Sequence, residues 1–312
     1  MKNFLYPSYD NNLKEGINLS TIIYEYIMHG IVMGSIYSLM ALGVAMIYSI
    51  LKFTNFAHGE FYILGGYAFY YLSVIFGVPL PLGILLSVAA VALIAMLLER
   101  TLLHEAVTGR IERPGDYGLL ITYAFSLLIQ NTLILVFGPF IKMPPPLLKE
   151  EVNIGPLVMQ WNYIIVILLS WMTYIFLFLF FRKTTWGKRM YAVAQNDELI
   201  ELLGLNAIRL KTTLFIIGAS LAGFAGILLT PIFTLSPTGG WIAVVKGFIV
   251  MIMAGMGSIM GCIVSGYIVG ITEMLCNYFL SPSYRDLYGF IVMIIFLLFR
   301  PQGLFGEVER LR

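Results

Sequence analysis

The sequence predicts an all-α fold, a polytopic integral membrane helix bundle of about eight or nine membrane segments, and three observations predict it. Of the 312 residues, 59% are hydrophobic and only 12% are charged, against roughly 25% charged in ordinary soluble domains. Mean hydropathy is +0.88. The apolar residues also gather in runs close to the ~20 residues that one helical crossing of a bilayer needs. A soluble globular protein is excluded. The formal charge of +2, with its lysines and arginines dispersed, further argues against nucleic-acid binding and against a polybasic lipid-recruiting patch.

Apolar runs between charged or Pro/Gly-marked breaks place segments near 22–49, 61–77, 81–99, 117–137, 162–181, 212–234, 243–256, 258–280 and 287–300. The first twenty residues carry Asp10, Lys14 and Glu15 and lack the apolar run of a signal peptide, so the chain is expected to insert through its own first helix. That helix is longer than one crossing needs and holds Gly30, Gly34 and Gly43, while the run 243–280 is divided by Ala254-Gly255-Met256-Gly257-Ser258. Either is expected to be a broken or re-entrant element that contributes to a pathway, or else a plain hydrophobic hairpin. Small residues four apart, Gly30 and Gly34, Gly218 and Ala222, Gly257 and Gly261, Gly266 and Gly270, suit close helix packing or sliding surfaces. Cys262 and Cys276 stand fourteen residues apart in one run, about 21 Å along a continuous helix, too far to be bridged.

Lysine and arginine collect beside particular spans. Arg100, Arg110 and Arg113 lie in the 99–116 loop; Arg182, Lys183, Lys188, Arg189, Arg209 and Lys211 in the 182–211 loop; Arg300, Arg310 and Arg312 in the tail. These are expected to face the cytoplasm. The 138–161 loop, with Lys142, Pro144-Pro145-Pro146, Lys149, Glu150 and Glu151, is net neutral and is expected outside, together with the N-terminus.

Catalytic machinery is absent from the sequence pattern. The nearest approach to a phosphate-cradling G-x-x-x-x-G-K-[ST] loop is Gly187-Lys188, with Arg182 where the first glycine should be. The three histidines, at 29, 58 and 104, accompany no H-E-x-x-H, no zinc-spaced Cys/His cluster and no G-x-S-x-G elbow. The chain is therefore expected to hydrolyse no ATP itself, to bind no metal or cofactor, and not to be an enzyme.

Polar residues at membrane depth are costly and usually retained for a reason. Glu25, His29, Lys246 and Glu273 qualify. Either they line a substrate path, or Glu25 and His29 form an interfacial pair, Lys246 snorkels and Glu273 makes an interhelical hydrogen bond. The run Asn55-Phe56-Ala57-His58-Gly59-Glu60-Phe61 is denser in polar groups than its surroundings. It reads as a polar turn at a helix start, with Asn55 capping amides and Glu60 favouring the positive helix end, or as a solvated loop.

Within the 182–211 loop the spacing predicts a short helix. Asn196 is placed as N-cap, Asp197 and Glu198 suit the first turn, Leu199, Leu202 and Leu203 form an i, i+3, i+4 stripe, and Gly204 is placed to end it. Two turns cannot hold themselves together in water, so the leucine face must dock on the protein's own membrane base or on another protein.

Several strings spread along the chain carry a resemblance: Gly34-Ser-Ile-Tyr-Ser-Leu-Met-Ala-Leu-Gly43, Asn55-Phe-Ala-His-Gly-Glu-Phe-Tyr-Ile-Leu-Gly65, Leu120-Ile-Thr-Tyr-Ala-Phe-Ser-Leu-Leu-Ile-Gln130, the loop Trp186–Asn206 and Arg300-Pro-Gln-Gly-Leu-Phe-Gly306. In these the sequence resembles the permease subunits of high-affinity branched-chain amino-acid ABC transporters, of the LivH type. The resemblance implies one transmembrane permease domain over 1–312 in the cell membrane. It also implies a second, related permease chain, two separate ATP-binding subunits that carry ATP and Mg, and an extracytoplasmic substrate-binding protein. It makes the 182–211 loop the coupling loop, with Asn196, Glu198, Leu199, Leu202, Leu203 and Gly204 the residues that meet an ATPase. The family usually has a pair of alanines where this chain has Leu199 and Ile200. Asn55, His58, Glu60 and Glu273 are candidates for the translocation path or its polar turn.

Two functions remain for the structure to separate. One is the permease of an ATP-driven importer that moves branched-chain amino acids. The other is a self-sufficient channel or secondary transporter for a small polar solute such as urea or an amide, which has no need of a capped, leucine-faced cytoplasmic helix.

Overall fold

The computed structural model describes residues 19–108, 110–148, 150–154, 157–255 and 257–306. Asp10, Lys14, Glu15, Lys149, Met256, Arg310 and Arg312, and the side chains of Glu198 and Leu199, lie outside the described residues. The elements are α1 (Leu19–Leu51), α2 (His58–Phe69, continued by a π-helical turn Tyr70–Ile75), α3 (Leu80–Leu98, continued by a π-helical turn Glu99–Leu103), α4 (His104–Val107), α5 (Pro114–Phe137), a hairpin of β1 (Glu151–Ile154) and β2 (Leu157–Gln160), α6 (Trp161–Lys183), α7 (Thr185–Gln195), α8 (Asp197–Leu202), α9 (Ala207–Leu229), α10 (Gly240–Ala254), α11 (Ile259–Phe279) and α12 (Arg285–Phe299). Among the described residues, seven helices are long and apolar enough to cross a membrane, and α10 is a shorter apolar helix.

Local chemistry sets several boundaries. Ser258 accepts the Gly261 N–H at 3.0 Å to start α11, and Asn206 accepts the Arg209 N–H at 2.8 Å to start α9. Pro114 occupies the first turn of α5, where its missing N–H costs nothing, and Gly138, at φ +82°, ends that helix.

The bundle is layered around α1, which is almost wholly enclosed, whereas α3, α5, α6 and α12 leave most of their apolar surface outward, as lipid-facing helices do. α1 runs antiparallel to α11, with Gly30 beside Ile271 and Ser38 bonded to the Ile263 carbonyl at 3.1 Å. The paired small residues face one another there: a Cβ placed on Gly270 would stand 2.5 Å from the Gly34 nitrogen. Such contact lets dispersion forces act over the whole crossing, which matters because lipid removes the hydrophobic drive for helices to associate.

The interruptions fall elsewhere than the sequence suggested. α1 is continuous through its glycines, and the run 243–280 forms the plain hairpin, α10 and α11 running antiparallel with the Ser258 N–H on the Gly255 carbonyl at 3.1 Å. The non-helical crossings are 52–57, between α1 and α2, and 230–239, between α9 and α10. In each, a long helix is followed by a short non-helical stretch of turns, a short helix and another long helix. The second set runs opposite to the first, since α9 packs antiparallel to α3, Glu99 meeting Thr212 and Val91 meeting Gly223.

One end of the bundle gathers the basic segments. Lys52 donates to the Ala194 carbonyl at 3.3 Å, Lys211 to the Val107 carbonyl at 3.5 Å, and the Phe305 N–H to the Ala254 carbonyl at 3.0 Å. At the other end Lys142 bridges Leu235, the Tyr71 ring stacks on Phe137 at 4.4 Å and the His29 ring meets Tyr163 edge-on at 5.1 Å.

Candidate functional site

The Asn55–Phe61 run lies inside the bundle. His58 Nε2–H donates to the Met40 carbonyl at 3.3 Å, and Met40 lies eleven residues before the end of α1, about 16 Å along the axis of a crossing whose core is ~30 Å thick. α2 therefore begins part-way through the membrane. So does α10, because the two helix starts touch: a Cβ on Gly240 would stand 2.8 Å from the Gly59 carbonyl oxygen. Unwound backbone at that depth is tolerated because protein covers it. Asn55 Oδ1 accepts the Ala57 N–H at 3.0 Å, closing an Asx turn ahead of α2.

Glu60 sits at this junction, 2% exposed. Ser126 of α5 donates to its Oε1 at 2.9 Å, and a Cβ on Gly240 would lie 2.9 Å from the same oxygen, so the carboxyl abuts the first turn of α10. Its Oε2 has no hydrogen-bond partner, and neither do Asn55 Nδ2 and His58 Nδ1. Among the described residues no cation pairs with Glu60. Beside it stands an aromatic cluster: Phe56 stacks on Trp241 at 5.6 Å and meets the edges of Tyr123 at 6.1 Å and Phe248 at 6.2 Å. Tyr123 and Trp241 are about half exposed on the outer surface of this chain.

Glu273 occupies a different place. Lys246 donates to its Oε2 at 3.0 Å, Tyr37 donates to Oε1 at 3.1 Å, and Arg285 donates to Oε1 as well. Asp286 also pairs with Lys246, at 3.2 Å. The network ties α1, α10, α11 and α12 together, and it satisfies both oxygens of a carboxylate that is fully buried. Lys246 is buried by this pairing rather than snorkelling, and Glu25 is exposed near the start of α1.

In the 182–211 loop, α7 packs Gly187, Met190 and Val193 against the bundle, and α8 turns Ile200 inward while Leu202 and Leu203 are 82% and 74% exposed. Among the described side chains, the loop thus docks on its own base through Ile200 and leaves Leu202 and Leu203 uncovered. Gly204, at φ +74°, closes α8 with its N–H on the Glu201 carbonyl at 2.9 Å. Asn196 stands between α7 and α8, its N–H on the Ala192 carbonyl at 3.0 Å.

Sequence reasoning missed Ser126, Tyr123 and Trp241, because helix-embedded aromatics and a lone serine look like ordinary span residues until α5 and α10 are laid beside α2; Phe56 was named only as a member of the polar run. It also missed Glu99, buried near the basic end with Thr212 donating to Oε1 at 2.8 Å; its place beside Arg100 had marked it only as a span boundary.

The model of the family described as "Branched-chain amino acid transport system / permease component" matches residues 26–297. BraD of Pseudomonas aeruginosa, a high-affinity branched-chain amino acid transport system permease protein, is 30% identical over 302 residues, covering 92% of this chain and 98% of that protein. LivH of Escherichia coli is also 30% identical, over 295 residues, covering 91% and 96%. LivM of Salmonella typhimurium, another permease protein of such a system, is 26% identical over 311 residues, 87% of this chain and 68% of that protein.

Proposed function

The chain belongs to the permease components of branched-chain amino acid transport systems, and from that premise we propose how it works: as one half of a membrane pore through which a branched-chain amino acid enters the cytoplasm, driven by ATP hydrolysed on separate subunits. The match over residues 26–297 carries the reading. Such systems contain both LivH-type and LivM-type permeases, so the second half of the pore is a related chain rather than a second copy. Two ATP-binding subunits with their Mg lie beneath, and a binding protein delivers substrate from the opposite side.

The geometry fits this division. Exposed Leu202 and Leu203 on a short capped helix offer an apolar contact that an ATPase groove can cover, and α7 and α8 connect that contact to the base of α1 and α9. Asn55 and Glu60, at the junction of α2 and α10, line the path together with Phe56, Tyr123 and Trp241. His58 holds the start of α2 against α1. Glu273 braces the far end of the path through Lys246 and Arg285.

Gentle detergent extraction of the tagged chain from its native membrane tests the proposal. ATPase chains and a second hydrophobic permease are expected to co-purify, and the reconstituted complex, given its binding protein and ATP, is expected to accumulate leucine, isoleucine or valine. Purification alone, with solute passing without ATP, would return the self-sufficient channel to the front.

A further inference from the structure

A carboxylate buried at membrane depth without a cation is costly to keep. Glu60 is in that position: Ser126 satisfies Oε1, while Oε2 is buried and unpartnered. Glu273, by contrast, has Lys246, Arg285 and Tyr37 around it. Around this carboxyl, whose Oε1 abuts the first turn of α10, the fold assembles groups of complementary kind. The first-turn N–H groups of α10 have no partners within their own helix and make its start a positive end. Phe56, Tyr123 and Trp241 present ring faces and edges, an apolar surface that also attracts a cation. A negative oxygen, a positive helix end and an aromatic wall together match a zwitterion that carries an apolar side chain.

The geometry points to Glu60 Oε2 as the receptor of the substrate's α-ammonium group within the membrane, with the first turn of α10 facing its α-carboxylate and the Phe56–Tyr123–Trp241 cluster taking its side chain. This rests on the amino-acid importer reading and names the recognition chemistry inside that path. Ammonium recognition requires the negative charge, so Gln at this position fails although it matches Glu in size, whereas Asp keeps the charge on a shorter stem.

The test uses the complete reconstituted complex with its binding protein, comparing wild type, Glu60→Gln and Glu60→Asp for leucine uptake, for ATP hydrolysis stimulated by the binding protein, and for elution as an intact assembly. Glu60→Gln is expected to lower uptake by about tenfold or more, the loss of one charge-assisted hydrogen bond. It should leave the assembly intact, and Glu60→Asp should recover part of the uptake. Wild-type uptake by Glu60→Gln overturns the assignment and makes Glu60 a neutral structural hydrogen-bonding group; so does loss of assembly in Glu60→Gln and Glu60→Asp alike. A wild-type complex that moves no amino acid overturns the importer reading, and this inference with it.

Discussion

Glu60 and Glu273 are both carboxylates buried at membrane depth, and what surrounds each decides what its removal does. Glu273 is held by Lys246, Tyr37 and Arg285, so Glu273→Ala leaves the buried Lys246 with only the more exposed Asp286 as counter-charge and takes the carboxylate away from Arg285. Breaking a buried pair from one side costs about 3–5 kcal/mol. We expect Glu273→Ala to lower the unfolding midpoint of the detergent-solubilised complex markedly and Glu273→Gln to lower it less, since the amide oxygen still accepts a hydrogen bond. Differential scanning fluorimetry would measure both, and an unchanged midpoint in Glu273→Ala would show that the network contributes nothing to stability. That Glu273 was polar and deep was legible in the sequence. Its partners were not, because Lys246 and Arg285 lie 27 and 12 residues away and only the packing of α10 and α12 on α11 brings them to it.

At the scale of elements, α8 shows how far local chemistry reaches. The stop at Gly204 follows from the left-handed backbone there, which a residue with a Cβ adopts at a cost of about 1 kcal/mol. What periodicity left open was which apolar residues face inward, and the packing of α8 against α7 and α9, which buries Ile200, decides it. Leu202→Glu and Leu203→Glu, both on the uncovered side, are expected to leave the permease folded and inserted while abolishing ATPase co-purification and leucine uptake. Ile200→Glu is expected to destabilise the loop itself and to lower the yield of folded permease. Quantifying ATPase per permease by mass spectrometry, beside the size-exclusion profile of each variant, separates the two classes; equal ATPase recovery from Leu203→Glu and wild type would remove α8 from the coupling contact. The same limit explains why the re-entrant stretches were misplaced. Gly30, Gly34 and Gly43 looked like a break because glycine is the usual marker of one, yet in α1 glycine serves close approach by α11 and α9; the run 243–280 does divide, as the plain hairpin its composition also allowed. The true interruptions at 52–57 and 230–239 carry no comparable glycine signal in their first residues.

Across the whole molecule, the alternation of spans can be checked against charge, since the structure assigns the two ends without any reference to lysine and arginine counts. α1 ends where α7 sits, α3 ends where α9 begins, and the tail at Leu304 and Phe305 pairs with the end of α10. All of these fall at one end, and Arg110, Arg113, Arg182, Lys183, Lys188, Arg189, Arg209, Lys211 and Arg300 belong to the segments gathered there. Lys142 and Arg285 belong to the segments at the other. Counting 52–75 and 230–254 as complete crossings made of a non-helical stretch plus a short helix, the nine passes alternate, with α1 entering from the end poor in basic residues. The positive-inside rule then puts the start of α1 outside and α8 in the cytoplasm, the side that the proposed ATPase contact requires. Single cysteines introduced at Lys188 and at Met143, both exposed, in a Cys262→Ser, Cys276→Ser background, would report this through a membrane-impermeant maleimide. Position 143 is expected to label in intact cells and position 188 only after permeabilisation. The reverse pattern would place α8 away from any cytoplasmic ATPase, and with it the coupling contact, the direction of transport and the order in which substrate meets Arg285, Glu60 and the basic end would all have to be inverted.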